Sequence, residues 1–146
     1  MSKPKLKIVG KYNTAINTLL GLHLEEQDIF RSSGLYTHVA KHNHLNSLKY
    51  VDMIPDILEK PDYIGINPNE SGISLEYLKI VDAKVILVGV KYDDKDKHLY
   101  VSTMHQIPNK RVPRNLRDGR IKTYIDIPEV LKYYNDIENK DSDEPE

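Results

Sequence analysis

Cysteine is absent from all 146 residues, which excludes disulfides, thiolate metal sites and zinc fingers and removes any need for an oxidising compartment. No apolar run approaches the ~20 residues that a membrane-crossing helix needs. The opening MSKPKLKIVGKYNT is positively charged but has neither an apolar h-region nor a small-residue cleavage site. The expectation is a non-exported, cytoplasmic protein with no membrane partner. Internal repeats at periods of about 20 to 50 residues are missing too, so a solenoid is excluded. So are a G-x-S-x-G elbow, a P-loop, a dinucleotide fingerprint and an H-E-x-x-H pair. Their absence sets aside serine-triad hydrolysis and nucleotide-cofactor chemistry.

What is present is an uneven distribution of charge. The formal net charge of −1 conceals a tail, NDIENKDSDEPE at 135–146, with six acids against one lysine, which leaves +4 on residues 1–134. Between Pro108 and Tyr124 stand Lys110, Arg111, Arg114, Arg117, Arg120 and Lys122 against Asp118 alone. Such a patch attracts phosphates, although many basic runs are only solvated surface. The length fits one domain. The acidic tail has too few apolar residues to fold by itself and is expected to be a flexible appendage.

Periodicity divides the folded part in two. KLKIVGKY alternates as a short strand or arm, and NTAINTLLGL reads as a helical turn or two begun by Asn13 or Thr14 and stopped near Gly21. RSSGLYTHVAKHNHL is expected to be a helix capped by Ser32 or Ser33, with Leu35 and Val39 facing the core. VDMIPDILEKPD predicts a short helix capped by Asp52, burying Ile54, Ile57 and Leu58 and closed by Pro61. From residue 62 the period becomes that of strands: DYIGIN, ISLEYLKI, KVILVGVKY and HLYVSTM form an antiparallel meander through short polar links. KVILVGVKY is apolar on both faces and suits a central strand. A short basic helix with Val112 and Leu116 on its apolar side, ending at Gly119, and a C-terminal helix PEVLKYYNDI complete an α+β order.

THVAKHNH concentrates three of the six histidines, and in a helix His38, Lys41 and His42 share one edge. The spacing of His38 and His42 permits a shared metal ion, but no third ligand accompanies them, so no metal or other cofactor is expected. Proton transfer is the better use, because imidazole titrates near neutrality and a neighbouring cation stabilises an anionic transition state. RNA suits such a site, since its 2′-OH is a built-in nucleophile beside the phosphate. The plain alternative is a hydrogen-bonded structural histidine and a solvated arginine face. Tyr36, Tyr63, Tyr77 and Tyr100 would stack on unpaired bases if they reached the same face; half-buried packing is the commoner role.

The order of GLYTHVAKHNH, ILEKPDYIGINP, LYVSTM and KRVPRNLRDGRIK resembles the phage-associated nuclease domains of the barnase/EndoU/colicin/RelE-like (BECR) superfamily, from about Ile29 to Lys122. The resemblance implies one nuclease-like domain over residues 1–134, with N-terminal helices packed on a four-stranded antiparallel sheet. It also implies a metal-independent, toxin-like endoribonuclease of phages and mobile elements that leaves a 2′,3′-cyclic phosphate. On that reading His38 and His42 exchange protons with the 2′-OH and the leaving 5′-oxygen. Lys41, Arg114 and Arg120 neutralise the phosphorane, and Thr103 donates a hydrogen bond to phosphate. Lys110, Arg111, Arg114, Arg117 and Lys122 hold the RNA, either tRNA or a single strand; an inhibitor or immunity protein is a compatible further partner. The alternative is a non-catalytic RNA- or protein-binding module on the same fold, since fold does not fix function.

Overall fold

The structure, a computed structural model of the chain, describes residues 6–32, 34–35 and 50–124. Its elements in chain order are β1 (Leu6–Lys11), α1 (Ala15–Leu20), β2 (Asp28–Ser32), α2 (Ile54–Glu59), β3 (Tyr63–Ile66), β4 (Ser74–Val81), β5 (Lys84–Asp93), β6 (His98–Ile107), α3 (Arg111–Arg117) and β7 (Ile121–Thr123). All seven strands join one sheet in the order β1-β2-β6-β5-β4-β3-β7, antiparallel throughout except for the parallel pair β2 and β6.

The meander β3 to β6 is the one expected, but the sheet is not four-stranded. DIFRS, expected to lead into a helix, is a strand instead, so Ser32 ends β2 rather than capping a helix. Alternation explains it: Ile29 is fully buried, while Asp28, Phe30 and Ser32 point the other way. The strand β7 is only three residues long and exists because β3 supplies its partners. The expected helix carrying His38 and the C-terminal helix lie outside the described residues.

Successive residues of each strand face opposite sides, and the two sides are covered differently. On the first side Leu75, Tyr77, Ile86, Val88, Val90, Leu99 and Met104 meet Ile16 and Leu19 of α1 and Ile54, Ile57 and Leu58 of α2 in the main core. The side chain of Asn17 secures α1 there: its Oδ1 accepts hydrogen bonds from the Tyr12 hydroxyl at 2.6 Å and the Leu24 N–H at 3.1 Å. Helix α2 buries the three residues expected of it, but its N-cap is Met53, with Asp52 in a preceding 3₁₀ turn.

Among the described residues, the second side has a small core at one end only. There Val112 and Leu116 of α3 pack on Leu78, Val85, Leu87, Ile107 and Ile121. Strand β5 is therefore apolar on both faces for two different partners, the α1/α2 layer and α3. Beyond Leu87 its second face continues as Gly89 and Lys91, and the sheet floor becomes polar.

Candidate active site on the second sheet face

The polar floor is organised in rows. Gly65, Glu76, Gly89 and Thr103 are paired in register across β3, β4, β5 and β6. The alternation that sends Leu75 and Tyr77 into the main core leaves Glu76 on the second side, where its side chain is only 8% exposed. A carboxylate removed from water this far needs a partner. It has one in Arg120, whose Nε and Nη2 donate to the two carboxylate oxygens at 2.8 and 3.0 Å. This fork geometry is the strong form of the Arg–carboxylate pair. The hydrogen bond to Glu76 holds the Arg120 guanidinium above its ordinary pKa.

Three glycines shape the arrangement. Gly65 pairs with Glu76 on one side and with Ile121 on the other, and a Cβ there would lie 2.1 Å from the Arg120 carbonyl oxygen. Its bare backbone lets the chain at Arg120 press onto β3 and send the guanidinium across to β4. Gly119, with φ of 78°, makes the left-handed turn out of α3 that delivers Arg120 to this position, and the Arg120 N–H is held by the Asn115 carbonyl at 2.9 Å. Gly89 lies between Glu76 and Thr103, and the Thr103 side chain leans over it: a Cβ at Gly89 would lie 2.7 Å from Thr103 Cγ2 and 3.3 Å from Ser102 Oγ. Glu76 and Thr103 stand two strand spacings apart, about 10 Å between Cα atoms.

Of the sequence-derived site residues, the structure brings Thr103 and the Arg120 guanidinium to this one face. Arg120 is bonded to Glu76, a partner the sequence did not indicate. Lys110, Arg111, Arg114 and Arg117 are exposed on or beside α3, the helix that borders the site. Lys122 lines one cleft with Arg120, Asn115 and Gly119 at the β7 edge, with its amino group turned to the α1 side. Its neighbour in β3 is Ile64, a main-core residue, and its Nζ donates to the Leu19 carbonyl at 2.7 Å on the α1 side. His38, Lys41 and His42 lie outside the described residues. Tyr77 is buried in the main core, far from any stacking role, and Tyr63 packs against the small core.

Sequence reasoning missed Glu76 and left His105 unplaced. Glu76 was visible as the one acid on the otherwise buried stretch of ISLEYLKI, and a buried charge on a strand is the informative kind of exception. His105 lies two residues beyond Thr103 on the same face, opposite Leu87 and half-buried. Among the described residues, metal-ligating side chains gather only at Asp93, Asp96 and His98 in the β5–β6 hairpin, with ligand atoms within 4.8 Å of one another. The Asp93 carboxylate there already accepts the backbone N–H groups of Lys95 and Asp96, which hold its pKa below the usual range. This is a turn-forming carboxylate at the sheet's rim, away from the Glu76 row.

The arrangement supplies a desolvated carboxylate, a fixed guanidinium, a hydroxyl and an imidazole on one sheet face, which is equipment for proton transfer beside a phosphate. No curated protein and no solved structure matches the chain. A family described as phage-Barnase-EndoU-ColicinE5/D-RelE like nuclease3 has a model that matches residues 7–114, a span that takes in β1 to β6 and the first half of α3. The chain belongs to that nuclease family.

Proposed function

We propose that this nuclease is a metal-independent endoribonuclease, toxin-like in its biology, whose reaction centre is the Glu76–Arg120 pair. The observation that carries the reading is the burial of the Glu76 carboxylate on the polar part of the second sheet face, gripped by a two-pronged guanidinium in the row that runs through Gly89 to Thr103.

In the proposed reaction the Glu76 carboxylate takes the proton of the ribose 2′-OH. The 2′-oxygen forms a bond to phosphorus, and the bond from phosphorus to the 5′-oxygen breaks. The leaving oxygen takes its proton from an imidazole, either His105 on the same face or the sequence-derived pair His38 and His42. Arg120 and Lys41 neutralise the added charge of the phosphorane, and Thr103 donates a hydrogen bond to a phosphate oxygen. The exposed cations of α3 draw in the RNA backbone.

The test compares RNA cleavage in EDTA by the wild type and by Glu76→Gln, His105→Ala and His38→Ala. Loss of the base is expected to cost ~10²- to 10⁴-fold in rate, with a similar loss for whichever histidine is the acid. Cleavage by Glu76→Gln at the wild-type rate would remove Glu76 from the chemistry. The binding-module alternative predicts salt-sensitive RNA binding with no products from any of the proteins.

A further inference from the structure

Next to the Glu76 row on the same face runs a second row, Ser74, Lys91, Tyr100 and Phe30, across β4, β5, β6 and β2. Successive same-face rows are two residues apart, about 7 Å. Three rings cluster at its β2–β6 end. Phe30 meets His98 edge to face with centroids 5.7 Å apart, and His98 meets Tyr100 at 5.9 Å and a 51° tilt. All three are part-exposed, whereas the residues alternating with them, Ile29 and Leu99, are fully buried on the other side.

We propose that Phe30, His98 and Tyr100 form a stacking shelf for one unpaired nucleobase adjacent to the scissile phosphate, so that the substrate is RNA single-stranded at the cut. The inference rests on the RNA-cleavage reading of the Glu76 row and adds to it the form of the substrate. Duplex RNA keeps its bases inside the stack, where no ring on a sheet surface reaches them, while a splayed nucleotide presents a π-face of any sequence. Lys91, in register with Tyr100 and two residues from Gly89, stands where the backbone would pass from shelf to reaction centre. A bulge in β6 at Ser102, between the residues paired with Gly89 and Val90, sets Tyr100 three positions before Thr103 on the same face. One nucleotide spans the two rows with its base on one and its phosphate on the other. Leu6 and Ile8, each 55% exposed, extend the same face on β1, so a protein partner is the competing occupant.

The probe is a short 2′-O-methyl RNA, which cannot be cut, together with its duplex and its wholly abasic counterpart, each titrated against the full-length chain by fluorescence anisotropy. Tyr100→Thr keeps a strand-forming residue and removes the ring, Tyr100→Phe keeps the ring, and His98→Ala removes a second ring at the strand's start. Tyr100→Thr is expected to lower affinity for the single strand by roughly 5- to 100-fold. Tyr100→Phe should match the wild type, and the abasic strand should bind wild type and Tyr100→Thr equally poorly. If Tyr100→Thr fails to fold, the same comparison with His98→Ala and the abasic strand decides. Equal wild-type affinity for intact, duplex and abasic strands would overturn the shelf and leave the face to a protein partner. Discrimination against the abasic strand in a protein that does not cleave would leave the shelf standing and count against Glu76 alone.

Discussion

Tyr77 is 1% exposed and its hydroxyl has no hydrogen-bond partner among the described residues, so burial both pushes its pKa up and leaves a desolvation cost uncompensated. Tyr77→Phe should therefore stabilise the fold by about 1 kcal/mol, read as a higher urea midpoint. Tyr12 is the opposite case, bonded to Asn17, with burial raising its pKa to about 12. A folded value above the unfolded one means the stabilisation is complete below the ordinary value of 10.0 and is lost as pH rises from there through about 12. Tyr12→Phe should flatten stability over that alkaline window and cost about 1 kcal/mol at neutral pH, measured by denaturation at several pH values. The residue scale is also where sequence reading fell shortest. Thr103 was legible because HLYVSTM is plainly a strand. Glu76 was not, because its importance comes from register with Gly89 and from a guanidinium 44 positions away.

At the scale of elements, propensity and pattern located α1, α2, α3 and β3 to β6, each of which carries its own apolar period. β2 and β7 were hidden because five and three residues are too few to establish a period, and their backbone groups are satisfied by strands remote in sequence. The junction of β3 with β7 depends on Gly65. Gly65→Ala would drive a Cβ into the Arg120 backbone carbonyl, and a backbone atom cannot swing aside. The substitution should cost about 3 kcal/mol or more, at or above the upper end of overpacking, seen as a fall in Tm. For α3, its exposed Arg114 and Arg117 give a separable prediction. Replacing both with alanine should weaken binding of all RNA sequences alike and reduce the slope of log K against log salt by ~1.4, while leaving Tm close to the wild type.

Viewed whole, the molecule is one sheet with unlike faces. Among the described residues, one is closed by α1, α2 and the main core and the other only where α3 packs, with the Glu76 row and the ring cluster on the rest of that face. The α+β class and the resemblance to BECR nucleases were readable from the chain, and the family match agrees with the resemblance. The division of labour between the faces was not, since it is set by which residues of each strand happen to alternate outward once seven strands have paired. The most direct measurement on the account is end-group analysis of RNA cut in EDTA by the wild type beside Glu76→Gln. The prediction is a 2′,3′-cyclic phosphate and a 5′-hydroxyl from the wild type, a 2′-deoxy sugar at the cut abolishing the reaction, and little product from the variant. Products bearing 5′-phosphates, or cyclic phosphate released equally fast by both proteins, would contradict it.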